Sequence, residues 1–326
     1  MYIRKHFWHI TVFFCLTVFN ATQPVMAAPI PADIKKTVTF IFPANAQGNI
    51  LKDPKTGLPV PYGTGFFVFL PDKTKPAPGR GYGYLVTAKH VLKAQDGSDF
   101  TKIYLRLNTR DGKSQYVGLD LTQHGHSVVY THSDPTVDVA VIPVFPDPST
   151  FDFKTIGEDM ITGKKLDELN ISEGTDVFFT GLFATYVGDR RNNPIVRFGR
   201  VAMVPEDPLL WQENGKEPHH VELYLLETQS YGGNSGSPVF FYLGADRNAG
   251  MIAIGQPEIK LAGIMRGSFN ENRAISFVQP SAAAPIPISS QNIGIAAVTP
   301  AYLLHDILFS DELNKFRSEH PIPPAQ

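Results

Sequence analysis

The sequence predicts an all-β fold, with two packed six-stranded antiparallel β-barrels followed by a C-terminal helix. Three observations support this prediction. The chain contains 27 glycines and 27 prolines, which favours a fold with many turns. Short segments rich in Val, Ile, Phe and Tyr recur between turn residues and fall into two groups, as expected for two barrels. A single long helical pattern stands out, at residues 300–316, where leucine and isoleucine recur at helical spacing.

The strand pattern divides the chain into parts. The first group of predicted strands comprises residues 37–42, 65–70, 84–87, 102–107 and 137–144. The second group comprises residues 176–181, 195–204, 221–227, 238–243, 261–265 and 293–297. The polar stretch 146–172 lies between the groups and is the predicted connection, so residues 37–145 form the N-terminal barrel and 173–316 the C-terminal barrel with its helix. Residues 28–36 are interpreted as a Pro-rich leader and 317–326 as a flexible tail.

The first 27 residues have the features of a signal peptide. Arg4 and Lys5 give a positive start, an apolar run follows at residues 10–19, and Ala27 ends a stretch suited to cleavage before Ala28. A membrane anchor is the alternative, but a bilayer-spanning helix needs about 20 apolar residues and this run is shorter. We therefore expect a secreted or periplasmic protein that has no membrane contact after signal removal.

Composition excludes several functions. The formal net charge is -2 and the basic residues are scattered, so nothing favours a nucleic-acid partner. The only cysteine, Cys15, lies in the signal segment. The mature chain therefore has no disulfide, no thiol nucleophile and no cysteine-ligated metal. The pairs His124 with His126 and His219 with His220 lack a zinc-binding frame, so we expect loop histidines, no metal site and no cofactor.

Three short segments indicate the chemistry. Residues 85–91, LVTAKHV, are an apolar strand that ends in His90. Residues 136–142, TVDVAVI, place Asp138 at the start of an apolar strand. Residues 232–238, GGNSGSP, are a glycine-rich turn that presents Ser235. Each segment alone is common, but the three together in this order indicate a catalytic triad.

Each residue type suits acyl transfer. A serine hydroxyl is a poor nucleophile until an adjacent base takes its proton, and a histidine titrates near neutrality. A buried carboxylate holds the imidazole in one tautomer and stabilises the imidazolium. The sequence therefore predicts Ser235 as nucleophile, His90 as base and Asp138 as orienting acid. The glycines let the backbone turn sharply, so that the N–H groups of Gly233 and Ser235 form an oxyanion hole.

These motifs resemble those of trypsin-like serine peptidases, the chymotrypsin-fold family. TAKHV at 87–91 and VDVAV at 137–141 are similar to the family's His and Asp segments. GNSGSPVF at 233–240 is similar to the serine loop of bacterial glutamyl endopeptidases and high-temperature-requirement proteases. The resemblance covers roughly residues 37–316. An α/β-hydrolase is excluded because its triad runs Ser, acid, His along the chain, whereas this chain runs His, Asp, Ser.

The resemblance also assigns a substrate pocket. It places Ser230, Met265, Arg266 and Gly267 at the substrate, where the backbone of residues 265–267 would pair with an extended peptide. Met265 stands where glutamyl endopeptidases carry a histidine, which weakens the case for glutamate preference. Arg266 is then a source of positive charge for the pocket, or meets an acidic neighbour. Asn234 replaces the aspartate that in digestive enzymes pairs with a newly cut N-terminus, so the resemblance implies activity without such a cut.

The sequence therefore predicts an exported serine endopeptidase that acts on protein or peptide substrates through an acyl-enzyme. Two alternatives stay open: a catalytically silent module that binds peptides in the same cleft, and an esterase-like acyl hydrolase on the same fold. The natural substrate and the oligomeric state have no sequence signature.

Overall fold

The computed structural model describes residues 30–212, 217–244, 257–274 and 288–322 of the 326-residue chain. The predicted signal peptide and Cys15 lie outside these residues. None of the helices described is long and apolar enough to span a bilayer.

The first half of the chain forms an eight-stranded sheet with hydrogen-bonded order β5-β4-β1-β2-β3-β9-β8, while β10 pairs with β2; the short ribbon β6–β7 is separate. The strands of this half are β1 (Val38–Pro43), β2 (Gly63–Pro71), β3 (Gly81–Thr87), β4 (Lys102–Asn108), β5 (Ser114–Asp120), β6 (Thr122–Gln123), β7 (His126–Ser127), β8 (Tyr130–Thr131), β9 (Ala140–Pro143) and β10 (Ile156–Gly157).

The second half forms a closed six-stranded barrel with order β11-β12-β15-β18-β17-β16, and β13 and β14 form a separate two-stranded ribbon. Its strands are β11 (Asp176–Gly181), β12 (Ile195–Met203), β13 (Leu209–Trp211), β14 (His219–Val221), β15 (Tyr224–Glu227), β16 (Pro238–Leu243), β17 (Glu258–Ala274) and β18 (Ile288–Pro300).

The predicted all-β class is confirmed, with one difference in detail. The second barrel closes as expected, whereas the described strands of the first half form a sheet whose ends, β5 and β8, do not pair. The physical reason is the length of β8, which contributes only Tyr130–Thr131. Two residues cannot continue a hydrogen-bonded ladder around to β5.

Aromatic side chains fill both sides of the first sheet. All six residues of β1 are buried, because alternate side chains of a strand point to opposite faces and here both faces are covered. Phe40 and Phe42 pack against Leu182 of the second half, so these side chains form part of the contact between the two halves. Full burial of a side chain of this size contributes about 1.5–3 kcal/mol.

The predicted C-terminal helix is divided in two. Helix α1 spans Ala301–Leu308 and helix α2 spans Asp311–Glu319. Phe309 leaves helical geometry with φ −110° and ψ 13°. Ser310 then starts α2, because its hydroxyl oxygen accepts a hydrogen bond from the N–H of Leu313 at 3.3 Å and Asp311 adds a negative charge to the first turn. The capping signal interrupts an apolar pattern that by itself resembles one long helix.

The residues interpreted as a leader and as a tail both have ordered contacts. Ala32–Thr37 form a 3₁₀ helix in which Ile34 is buried. After residue 317, α2 continues to Glu319, and Arg317 binds the first sheet: its carbonyl accepts from the Tyr82 hydroxyl at 3.0 Å, and its guanidinium donates to Tyr84 Oη at 2.9 Å. These two bonds join Arg317 to strand β3.

We predict that Ser310→Ala lowers the free energy of unfolding by about 1 kcal/mol, because it leaves the N–H of Leu313 without its side-chain acceptor. Urea denaturation of purified protein measures the loss. Ser318→Ala is the matched control, since the Ser318 hydroxyl only donates to the carbonyl of Lys315 on the exposed face of α2. Equal stability of the two variants would contradict the capping role.

Candidate active site

His90 and Asp138 form a hydrogen-bonded pair at the end of strand β3. His90 lies in the 3₁₀ helix Lys89–Leu92, which is anchored by buried Val91 and follows β3 directly. Its Nδ1 lies 2.6 Å from Asp138 Oδ2, and its backbone N–H donates to Asp138 Oδ1 at 2.9 Å. The side chain of His90 is 39% exposed and that of Asp138 is 5% exposed. The pair thus joins a buried carboxylate to an imidazole that reaches solvent.

The charge of Asp138 is balanced by its neighbours. Burial by itself would raise the pKa of this carboxyl, because an apolar surrounding disfavours the charged form. His90 and the Arg266 guanidinium outweigh burial, and the pKa lies below its ordinary value. A carboxylate with a lowered folded-state pKa stabilises the fold above its ordinary pKa, and this contribution is lost as the pH falls from the ordinary pKa through the lowered one.

The serine loop is held by backbone hydrogen bonds on both sides of Ser235. The N–H of Asn234 donates to the carbonyl of Tyr231 at 3.0 Å, and that of Gly236 donates to the carbonyl of Met265 at 2.8 Å. The carbonyl of Ser235 accepts from the N–H of Thr64 at 2.9 Å. Ser235 therefore sits on a turn that is tied to strand β17 and to strand β2.

Glycine is required at two positions of this loop. Gly236 has φ +82°, and a Cβ there would lie 2.1 Å from the carbonyl oxygen of Thr64 and 3.1 Å from the nitrogen of Ala88. Gly233 has φ +93°, a left-handed conformation that other residues rarely adopt. Gly236 lets the serine loop pack against the segment that carries His90, and Gly233 allows the left-handed turn before Ser235.

Two partly buried amides of the loop have no acceptor within the described part of the chain. The N–H groups of Asn234, Gly236 and Ser237 all donate to carbonyl oxygens, whereas those of Gly232, Gly233 and Ser235 donate to none. Gly232 is exposed and can donate to water, while Gly233 and Ser235 are partly buried. Most backbone N–H groups in folded proteins are paired, so two unused donors flanking one residue are notable. These are the two amides that the sequence predicted for an oxyanion hole.

Two polar side chains connect the serine loop to its neighbours. The amide of Asn234, which is 1% exposed, donates to the carbonyl of Leu182 at 2.7 Å and accepts from the N–H of Tyr231 at 2.9 Å. The fully buried Thr64 hydroxyl donates to the carbonyl of Gly233 at 2.9 Å and accepts from the N–H of Leu182 at 2.9 Å. These bonds tie the turn to strand β2 and to Leu182.

The hydroxyl of Ser235 is hydrogen-bonded to a backbone carbonyl and not to the imidazole in this structure. Its described hydrogen bond goes to the carbonyl of Arg266 at 3.2 Å, not to His90. The side chain of Arg266 reaches the other end of the site, where its Nε lies 4.0 Å from Asp138 Oδ2. Arg266 thus contacts the predicted nucleophile, Ser235, through its backbone and the predicted acid, Asp138, through its side chain.

The predicted pocket residues lie differently from the expectation. Met265 is fully buried in the core of the second barrel, Ser230 is 3% exposed, and the Arg266 side chain is 4% exposed. The charge of Arg266 is directed at Asp138 and at the carbonyl of Thr136, to which it donates at 3.0 Å. The guanidinium is therefore enclosed beside the acid, which is the second of the two positions that the sequence analysis left open for it. Gly267 alone of the four is partly exposed.

The described residues contain no group of three or more His, Cys, Asp or Glu side chains placed to hold a metal ion. His219 and His220 belong to strand β14, not to a loop as the sequence suggested.

A cavity of about 990 Å³ lies between the connecting segment and α1, lined by residues such as Phe69, Glu158 and Tyr302. Its lining includes none of His90, Asp138 and Ser235, so this cavity is separate from the site.

Sequence reasoning missed three contributors to the site. Thr64 carries no local signature of a role in the site, although it connects β2 to the serine loop. Trp211 belongs to the ribbon β13–β14, whose packing against the site has no local signature. The third contributor is the contact of Arg266 with Asp138, which lie 128 positions apart in the chain. The sequence analysis offered an acidic neighbour for Arg266 as an alternative but did not identify that neighbour as Asp138.

An all-β fold with a closed six-stranded barrel and a C-terminal helix, carrying a buried Asp–His pair beside a serine turn, defines a class: the serine protease fold of the chymotrypsin type. The chain belongs to the family of trypsin-like peptidase domains, since the model of that family matches residues 63–245, more than half of the chain. The family predicted from the sequence is confirmed, while the nearest subfamily stays a prediction.

Several solved structures are similar to the chain. The active form of the Rv3671c protease from M. tuberculosis is 15% identical, with 84% of this chain and 80% of that chain covered and a TM-score of 0.42. The apo MamO protease domain from Magnetospirillum magneticum is 14% identical, covering 86% and 99%, with a TM-score of 0.44. Human heparin binding protein is 11% identical, covering 91% and 97%, with a TM-score of 0.42. No curated protein sequence matches the chain significantly.

We predict that Asn234→Asp destabilises the protein increasingly as the pH rises from about 4.5 to 7.5. A carboxylate in this buried position would face the carbonyl of Leu182, so its proton would be held more tightly in the folded than in the unfolded chain. The unfolded chain then releases the proton first, and stability falls by up to about 1.4 kcal/mol per pH unit.

Urea unfolding of wild type and variant at both pH values measures this loss. Asn314→Asp is the control, because the side chain of Asn314 is exposed on α2 and can remain charged in water. A deficit that is the same at pH 4.5 and 7.5 would show that the Asn234 amide does not have the contact described here.

Proposed function

We propose that this protein is an exported serine endopeptidase that hydrolyses peptide bonds through an acyl-enzyme, with His90, Asp138 and Ser235 as its catalytic triad. The observation that carries the proposal is the Asp138–His90 pair, with its 2.6 Å contact, beside a serine turn that Arg266 links to the same carboxylate. Membership in the trypsin-like peptidase family supports a protein or peptide substrate.

In the proposed reaction, Ser235 Oγ attacks the carbonyl carbon of the scissile bond while His90 takes the hydroxyl proton at Nε2. The C–N bond then breaks, and His90 returns that proton to the leaving amine. Water repeats the sequence on the acyl-enzyme, with His90 again as base, and releases the acid product together with the free serine. Asp138 stays ionised, holds the Nδ1–H tautomer and stabilises the imidazolium.

The unused amides of Gly233 and Ser235 suit the negative charge that forms on the carbonyl oxygen during attack. Backbone donors that are already oriented need no reorganisation when the charge develops. Removal of one such donor typically costs about 10²–10³ in rate. The bonds of Asn234 and Thr64 hold this turn in place and support activity without a newly cut N-terminus.

The serine must turn before it can react. Its hydroxyl is bonded to the carbonyl of Arg266 in this structure, and rotation about one side-chain bond is needed to direct it toward His90. Catalytic hydrogen bonds are often absent or long in unliganded enzymes and form in the substrate complex. We therefore assign the observed rotamer to the resting state.

The edge of strand β17 beyond Met265 is suited to an extended peptide. Strand β16 pairs with β17 as far as Pro238↔Ile264, and β18 covers the other edge of β17. From Gly267 onward, the edge on the serine side has no strand partner among the described elements. A substrate that added here as an antiparallel strand would satisfy these backbone groups and pass the serine.

The rotamer of Ser235 and the burial of Ser230 and Met265 favour a second candidate function. A chain whose serine never reaches the imidazole, and whose pocket stays closed, would hold peptides along β17 without cleaving them. Such a catalytically silent module would bind the same substrates. An esterase-like acyl hydrolase on the same residues differs from the proposed peptidase only in its substrates.

We predict that purified mature protein reacts covalently with a fluorophosphonate probe, and that the reaction rate falls by at least about 10⁴-fold in Ser235→Ala and in His90→Ala. The first variant lacks the nucleophile and the second lacks the base that activates it. Gel fluorescence and intact mass measure the labelling. Cleavage of a peptide library and of simple esters then separates a peptidase from an esterase.

Ser237→Ala is the matched control, because it changes a second, fully buried serine of the same loop and should label at the wild-type rate. Folded wild-type protein that does not label, yet retains peptides, would replace the enzyme proposal with the silent binding module.

Export rests on the sequence of residues 1–27. We predict that the chain, expressed from its own start in a bacterial host, is recovered outside the cytoplasm with Ala28 as its first residue, as mass spectrometry would show. Ala27→Leu should block cleavage, because the position before the cut requires a small side chain, and Met26→Leu should not. A protein that retains Met1 in the cytoplasm would contradict export.

A further inference from the structure

Arg266 is an enclosed cation in the centre of the candidate site. Its side chain is 4% exposed, and its guanidinium reaches Asp138 Oδ2 at 4.0 Å and the carbonyl of Thr136 at 3.0 Å. Its own carbonyl accepts the hydrogen bond from the Ser235 hydroxyl. Charged side chains are almost never fully buried unless they are paired, so the pairing with Asp138 accounts for this position.

A β-bulge directs Arg266 toward the acid. In the β17–β18 ladder Met265 lies opposite Val298 and Gly267 lies opposite Ala297, so Arg266 is an extra residue between successive pairs. A bulge of this kind interrupts the alternation of side chains and re-aims one of them. Met265 consequently fills the barrel core, while Arg266 leaves the barrel on the side of Asp138.

The ribbon β13–β14 covers the guanidinium of Arg266. Trp211, at the end of β13, lies with its ring 5.2 Å from the central carbon of the Arg266 guanidinium and packs edge-on against Phe269 at 5.0 Å. Trp211 is 9% exposed and belongs to a small apolar cluster with Val221 of β14. The ribbon β13–β14 therefore shields the Arg266–Asp138 pair from water, which strengthens their electrostatic interaction.

The resting enzyme needs such a cation. A general base must be neutral before it accepts a proton, so neutral His90 offers Asp138 a hydrogen bond but no positive charge. A buried carboxylate without a charged partner is costly and tends to take up a proton. Arginine keeps its charge at every pH that proteins experience. Arg266 is thus the partner that is present in both protonation states of the imidazole.

We propose that Arg266 is a positioning residue that holds Asp138 ionised and oriented in the resting state, and that its charge extends the activity of the enzyme to lower pH. The proposal rests on the function proposed above. The positive charge of Arg266 offsets part of the negative charge of Asp138. The imidazolium of His90 is therefore stabilised less than it would be without Arg266, and it loses its proton at lower pH. The His90–Asp138 pair titrates as a unit, and a nearby cation lowers the pH at which that unit deprotonates.

Other charged groups near the pair lie closer to solvent. Lys89 precedes His90 and donates from Nζ to the carbonyl of Pro135 at 2.6 Å. Asp134, four residues before Asp138, is exposed, and hydrogen bonds from Thr136 lower its pKa. Water and salt screen these exposed charges, whereas Arg266 acts from an enclosed position.

The test is the pH dependence of the rate of inactivation by the fluorophosphonate, measured for wild type, Arg266→Met and Arg266→Lys. We expect Arg266→Met to move the midpoint of the acid limb about one pH unit higher, because the cation beside the pair is removed. Arg266→Lys should remain near the wild-type midpoint, since it restores the charge. A purely structural role would lower the rate at every pH and leave the midpoint unchanged.

Lys93→Met is the matched control, because it removes an exposed cation three residues from His90 that is paired with Asp99, and its midpoint should equal that of wild type. An unchanged midpoint in Arg266→Met would overturn the proposal, as would a midpoint in Arg266→Lys that moves as far as in Arg266→Met. If Arg266→Met does not fold, Trp211→Ala provides the test. This variant admits water to the guanidinium, so it should move the midpoint of the acid limb in the same direction by a smaller amount. An unchanged midpoint in Trp211→Ala would then overturn the proposal.

A second measurement separates this proposal from the proposed function. Titration of the His90 ring, followed by NMR in the Ser235→Ala chain, reports the same midpoint without any reaction. Wild-type protein that never reacts with the probe would count against the peptidase. A His90 titration that is identical with and without the Arg266 charge would overturn the role of Arg266 alone.

Discussion

The buried carboxylate of Asp138 is the group around which the candidate site is arranged, because a charge removed from water must be compensated by its neighbours. His90 supplies two hydrogen bonds from the first half of the chain, one from its ring and one from its backbone, and Arg266 supplies a positive charge from the second half. The two halves therefore meet at a charge that neither half compensates alone. This requirement fixes both the 3₁₀ helix that carries His90 and the bulge that directs Arg266.

The serine loop depends on a second set of contacts between the halves. Thr64 of strand β2 binds the carbonyl of Gly233 and the N–H of Leu182, and the nitrogen of Thr64 binds the carbonyl of Ser235. Gly236 packs so closely against the backbone of β2 that a larger residue would not fit. These contacts fix the turn on both sides and leave the amides of Gly233 and Ser235 without an acceptor among the described residues. The unused donors are thus a consequence of the way the turn is held.

The pairing of His90 with Asp138 beside a serine turn was predictable from local motifs, whereas the directions of the predicted pocket side chains were not. The His, Asp and Ser segments were recognisable because each residue type has one plausible role at its place in the order His, Asp, Ser. The pocket residues were assigned by resemblance, and the structure buries Met265 and turns Arg266 toward the acid. Side-chain direction in a strand follows from alternation, and one bulge reverses it. Nothing in the local sequence around Arg266 marks that bulge.

The sequence by itself determined the all-β class, the family and the identity of the three candidate triad residues. Glycine-rich turns, short apolar strands and the three motifs each depend on residues that are close together in the chain, so they can be recognised from the sequence alone. Tertiary structure decided the rest: the open sheet of the first half, the division of the C-terminal helix at Ser310, and the enclosure of Arg266 beneath Trp211. These features depend on contacts between residues far apart in the chain or on competition between overlapping local signals. Their outcome is settled only when the surrounding elements pack.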